Sequence, residues 1–135
     1  MITAVDSSVL FDVVKGAPQA NASMVALTSA AERGVLCVSA PVVAELGRYF
    51  DDRVQMQDFF VDSQIEYSAI SLDSAFAAAL IMNQYARNKG PRNRVSADFL
   101  IGAHALVQAD CLLTRDSGFF RDYFKGLKVI NPAKM

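Results

Sequence analysis

The chain has 135 residues, 13 basic and 14 acidic, with a formal net charge of −1; 53% of residues are hydrophobic and 20% charged. That size predicts one domain spanning 1–135, burying about two-thirds of the surface its unfolded form exposes. The composition excludes intrinsic disorder and a disulfide-dependent scaffold, and the near-neutral charge confines any nucleic-acid contact to a local patch.

Ile2 to Val5 reads as a strand ending at Asp6. Ser7 and Ser8 open a helix through Lys15, stopped by Gly16. Pro18 sits in the first turn of a second helix that runs to Arg33, with Gly34 as its stop. Val35 to Val38 is a second strand. Ser39 and Pro41 start a helix through Phe50, and 51–62 continues as another. Ile65 to Ile70 is a weaker strand. Ser71 to Asn88 is a long Ala-rich helix containing the longest apolar run, Ala75 to Met82, short of the ~18 residues of a membrane crossing. A loop holding Gly90 and Pro91 leads to Ser96, which caps a helix through Ala109. Cys111 to Thr114 is a strand, Ser117 to Phe124 a helix, and Leu127 to Ile130 a last strand.

Short apolar strands alternating with helices mean a parallel sheet covered on both faces. Ligands in such folds bind beyond the carboxyl ends of the strands, where strand order reverses. Nothing at the start resembles a signal peptide: a basic leader is missing and Asp6 interrupts the apolar stretch. Cys37 and Cys111 lie in apolar runs, as buried thiols do in a reducing compartment. The expected location is the cytoplasm.

Most of the acids have ordinary readings. Asp51, Asp52, Asp58 and Asp62 form a solvated helix face, and Asp73 complements a helix dipole. Asp110 precedes its strand, and Asp12, Glu32, Glu66 and Asp122 read as surface. Four differ. Asp6 and Asp116 each follow a strand at its carboxyl end; each reads either as a helix cap or as a site acid. Glu45, three residues after Val42 and beside Leu46, borders an apolar stripe, where it either reaches water, pairs with Arg48 or serves a site. Asp98, two residues past Ser96, either compensates a dipole or joins the others.

Four carboxylates converging at about 5 Å would repel by roughly 3 kcal/mol per pair at an effective dielectric near 20. Protons or divalent cations must answer that repulsion. All-oxygen ligation suits Mg²⁺ or Mn²⁺, and such ions match phosphoryl-transfer chemistry.

Asp6 after the first strand, Glu45 in a mid-chain helix, Asp98 opening a later helix and Leu112-Leu113-Thr114-Arg115-Asp116 resemble the PIN-domain ribonucleases. Gly118-Phe119-Phe120, Tyr123-Phe124 and Leu127 to Ile130 resemble the VapC toxin branch of bacterial type II toxin–antitoxin systems. The resemblance covers essentially the whole chain. It implies a three-layer α/β/α domain on a five-stranded parallel sheet in order 3-2-1-4-5. That order puts Cys37 and Cys111 two strand spacings apart, about 9.6 Å, too far for a disulfide. It further implies a Mg²⁺- or Mn²⁺-dependent endoribonuclease. Asp6, Glu45, Asp98 and Asp116 would be its catalytic, metal-binding acids, and Thr114 would orient the last acid or the attacking water. A cognate antitoxin and a homodimer are implied too.

Arg87, Lys89, Arg92 and Arg94 crowd one stretch between Asp73 and Asp98, either as a solvated loop or as an RNA-phosphate patch that Arg115 and Arg121 could extend. His104 reads as a core or interface residue. Phe119, Phe120, Tyr123 and Phe124 read as packing over the sheet, and Phe11, Val14, Phe59 and Phe60 as part of an apolar groove for a partner. Two rival readings remain: a catalytically silent PIN-like module that binds RNA or protein, and a receiver-like phosphoacceptor domain.

Overall fold

A computed structural model of the chain describes residues 1–88 and 94–134. In chain order the elements are β1 (Ile2–Val5), α1 (Ser7–Lys15), α2 (Ala20–Arg33), β2 (Val35–Val38), α3 (Ala40–Gly47), α4 (Arg53–Asp62), β3 (Ile65–Tyr67), α5 (Leu72–Arg87), α6 (Ser96–Gln108), β4 (Cys111–Leu113), α7 (Ser117–Tyr123) and β5 (Val129–Ile130). A 3-10 turn follows at Pro132–Lys134. All strand pairs are parallel, in the order β3-β2-β1-β4-β5. This is the order the family resemblance implies. It excludes the receiver-like alternative, whose strands run 2-1-3-4-5.

Every residue of β4, and all of β1 and β2 except the first, is buried. Consecutive buried residues on a strand require cover on both faces, because side chains alternate. Helices supply it: α2 packs on β2, α6 on β4 and β1, and α7 on β5, while α5 lies along α6. Phe120, Phe124, Leu10, Leu36, Leu112 and Leu113 are among the largest side chains at the centre. Cys37 pairs with Ala4 on one side of β1, and Cys111 with Thr3 on the other. Both thiols are free and buried, and burial, ahead of neighbouring charge, pushes that of Cys37 up to about 11.

Several element boundaries differ from those expected. Pro18 stands in a turn before α2 rather than inside it. α3 stops at Gly47, β3 at Tyr67, and β5 begins only at Val129. Val95, not Ser96, occupies the cap of α6: its carbonyl accepts the Asp98 N–H at 3.1 Å and its N–H donates to the Asp98 carboxylate at 3.3 Å. Four aromatic residues near the carboxyl terminus pack as expected. Phe119, Phe120 and Phe124 are buried, and Tyr123 meets Tyr85 and Phe119.

Candidate active site

β1 is the strand at which the order reverses, so its carboxyl end and that of β4 lie side by side. The Asp6 N–H donates to the Leu113 carbonyl at 2.9 Å, which carries the pairing one residue past β1. Asp6 stands at the cap of α1 and Asp116 at the cap of α7, yet neither side chain caps its helix. That observation decides against the capping reading of both acids and leaves their carboxylates to other partners.

Asp6 is 7% exposed. Its Oδ2 accepts from the Thr114 hydroxyl at 2.6 Å and from Ser8 at 3.1 Å, while Ser7 reaches Oδ1 at 3.4 Å. Ser7 gives its proton over the shorter path, 3.0 Å, to Glu45 Oε1. Glu45 is half-buried on α3 and bonds neither to Arg48 nor outward alone, as two of its readings had it. Burial, more than any other cause, raises the Asp6 pKa; hydrogen bonds from the Thr114 and Ser8 hydroxyls and from the Ser7 backbone lower it, and the Glu45 charge raises it further. Among the described residues no basic side chain pairs with Asp6 or Glu45.

Thr114 is fully buried. While donating to Asp6, its oxygen accepts the Asp116 N–H at 3.0 Å, so one hydroxyl joins the two strand-end acids. Asp116 and Asp98 are joined in turn by Arg94. Its guanidinium takes Asp116 in a fork, Nη1 to Oδ2 and Nη2 to Oδ1 at 3.3 Å, and Nη1 lies 3.9 Å from Asp98 Oδ2. The guanidinium also lies over the Phe119 ring, 4.0 Å from its centroid. The hydrogen bond to Asp116 raises the Arg94 pKa above its usual value.

The four predicted acids therefore come to one edge of the sheet as two bridged pairs: Asp6 with Glu45 through Ser7, and Asp98 with Asp116 through Arg94. Among the described residues no three His, Cys, Asp or Glu side chains are gathered closely enough to hold an ion as they stand. The donor chemistry still fits a hard divalent cation. Carboxylate and hydroxyl oxygens are the donors, one acid is buried without a counter-charge among the described residues, and a guanidinium already stands between two others.

The predicted basic residues divide. Lys89 and Arg92 lie outside the described residues. Arg87 is exposed at the end of α5. Arg94 faces the acids. Arg115 is turned away: its Nε lies 2.6 Å from Asp12 Oδ2. Asp12, read from the sequence as surface, is 2% exposed and also accepts from Ser23 at 2.8 Å. This corrects the reading. Asp12 lies three residues after buried Val9, on one face of α1, and that spacing was the available signal. Ser7 and Ser8 were read only as a helix opening. Ser8 also accepts the Arg115 N–H at 3.1 Å, holding the turn after β4 against α1.

Of the residues read as a partner groove, Phe60 belongs to the core at 9% exposure, whereas Phe11, Val14 and Phe59 are half-buried; Phe59 packs on Phe50 and Phe60, and Phe11 meets Tyr49 edge to face. An open groove of about 470 Å³ lies between α1, α2 and the end of α4, lined by Val13, Met24, Leu27 and Ala31 among others.

A PIN domain family model matches residues 3–125. A sequence comparison with curated proteins finds no match. Among solved structures, the chain is similar to VapBC2 from Rickettsia felis bound to a promoter DNA fragment, at TM-score 0.78 and 20% identity over 97% of this chain and 98% of that one. It is similar to VapBC-1 from nontypeable Haemophilus influenzae, at TM-score 0.74 and 16% identity over 98% and 99%. It is also similar to FitAcB from Neisseria gonorrhoeae, at TM-score 0.68 and 21% identity over the full length of both.

Proposed function

The chain belongs to the PIN-domain family, and from that premise we propose that it is a metal-dependent endoribonuclease, the VapC-type toxin of a type II toxin–antitoxin pair. The whole chain, 1–135, acts as its single nuclease domain. The observation that carries this reading is the Asp6–Thr114–Asp116 chain of hydrogen bonds: two acids at helix caps decline to cap and are held together at the reversal edge.

Asp6, Asp98 and Asp116, with Glu45 nearby, would hold Mg²⁺ or Mn²⁺. Such an ion, when bound, lowers the pKa of a water and stabilises charge on a phosphodiester. The chain's own residues supply the rest. Thr114 fixes the orientation of Asp6 and of the Asp116 backbone. Ser7 holds Glu45, which would accept a proton from an attacking water. Arg87, Lys89, Arg92 and Arg94 lead RNA phosphates to the site, whereas Arg115 serves the fold. An RNA substrate and two free thiols fit a reducing cytoplasm; among the described residues no helix is long and apolar enough to cross a membrane.

One of the similar solved structures, from Klebsiella pneumoniae, is by name a toxin–antitoxin complex. This supports a cognate antitoxin here; we place it in the groove beside Val13, Met24 and Leu27 and propose a homodimer of the toxin alongside it.

The test is cleavage of RNA by the purified chain with Mn²⁺ or Mg²⁺. Asp6→Asn keeps the side-chain volume and should lower the rate by about 10²–10³-fold, the usual loss for one electrostatic element of a site. A folded Asn variant with full activity overturns the assignment. One observation favours a silent binding module instead: Arg94 already answers Asp98 and Asp116 without a metal. Metal-dependent cleavage by the wild-type chain excludes that rival.

A further inference from the structure

Arg94 does more at this edge than a phosphate contact on a surface loop would. Its guanidinium makes a two-pronged contact to Asp116, lies within ion-pair reach of Asp98, and rests on the face of Phe119. Such a fork is the geometry in which a guanidinium binds a carboxylate most tightly. The stacked ring below is itself fixed, since Phe119 is buried against Phe99, Phe120 and Phe124. The Val95 N–H anchors the same Asp98 oxygen, Oδ2, that Arg94 approaches. The cation is thus built in, not adventitious.

We propose that Arg94 is a resident counter-cation which a divalent ion must displace from Asp98 and Asp116, so that this residue sets the metal affinity of the site. The inference rests on the metal-dependent reading given above. Two carboxylates carry two negative charges, and the guanidinium offsets one of them. An incoming ion meets half the attraction the bare pair would offer, and both of its ligands must first release Arg94. A guanidinium keeps its charge in proteins, so Arg94 leaves the acids only by moving. Exchange of one cation for another is the available route. It also explains why the acids stand as two bridged pairs.

The experiment measures Mn²⁺ binding to the full chain by the electron paramagnetic resonance of unbound Mn²⁺, in wild type, Arg94→Gln and Arg94→Lys. Arg94→Gln should bind Mn²⁺ at least about tenfold more tightly than wild type, because a unit charge close to the ion is gone. Arg94→Lys keeps the charge and should stay nearer wild type. Equal or weaker binding by Arg94→Gln overturns the inference and leaves the metal reading intact. Absence of binding in every chain overturns both. A second measurement needs no variant: nitrogen NMR of the arginine side chains during Mg²⁺ titration. The Arg94 guanidinium signals should move toward those of a solvated arginine as the ion binds. Signals that stay fixed at saturation overturn the displacement.

Discussion

The Thr114 hydroxyl has one proton to give and lone pairs with which to receive, and both are committed: it donates to Asp6 and accepts from the Asp116 N–H. Thr114→Val keeps the shape of the side chain and removes that group from a fully buried position. One buried carboxylate loses its shortest hydrogen bond, and one backbone N–H loses its acceptor. The expected cost is about 1–3 kcal/mol of stability in urea unfolding. RNA cleavage should fall as well, and Thr114→Ser should restore both. A valine variant as stable and active as wild type would show that the hydroxyl only fills space. The position of the strand-end acids was legible because short apolar runs show where a parallel strand stops. What those acids touch was not. The bond between Arg94 and Asp116 joins residues 22 positions apart, with α6 and β4 between them, and the choice of Ser7 between Asp6 and Glu45 is set by rotamers. No spacing rule encodes either.

At the scale of an element, α6 carries much of the packing and one orphaned group. Gly102 faces the Phe124 ring, and a Cβ built there would lie 2.5 Å from Phe124 Cε1. Phe124 is 1% exposed and has little room to retreat. Gly102→Ala should therefore destabilise by about 1–3 kcal/mol, the cost of overpacking, although alanine is the better helix former; urea titration reads the sign. Two residues on, His104 is fully buried, its Nε2 2.9 Å from the Ser68 hydroxyl and its Nδ1 without a hydrogen-bond partner among the described residues. Burial lowers its pKa below the ordinary 6.5. The unfolded chain then binds a proton that the folded chain refuses. Its contribution is complete above pH 6.5 and is lost as the pH falls from there toward the folded-state value. The stability difference between wild type and His104→Gln should shift against wild type as the pH drops from 7.5 to 5.5. A difference that is flat with pH would mean that His104 takes up its proton equally in both states. The sequence places His104 in the core correctly. It shows the helix boundaries less well, since Val95 caps α6 through backbone atoms, a role open to almost any side chain.

Across the whole molecule the charge nearly cancels, so RNA affinity must come from where the cations stand and not from how many there are. The basic residues proposed from the sequence look equivalent on paper, yet the fold separates them. Arg87 ends α5 in solvent. Arg115 is spent on buried Asp12, which also receives Ser23 and so ties α1, α2 and the acid-bearing turn together. These positions predict opposite phenotypes. Each phosphate contact to a single strand contributes about 0.7 to the slope of log affinity against log salt. Arg87→Gln should flatten that slope by about this amount and leave urea unfolding unchanged. Arg115→Gln should leave the slope alone and destabilise the fold, because it strands the Asp12 carboxylate at 2% exposure. Loss of one partner from a buried ion pair costs about 3–5 kcal/mol. The Arg115 side chain is 34% exposed, so the lower end of that range is expected. Binding is measured with a fluorescent RNA strand and no divalent ion, across a salt series. Should Arg115→Gln flatten the slope as Arg87→Gln does, the division of the basic residues between substrate and scaffold fails, and Arg115 returns to the RNA path.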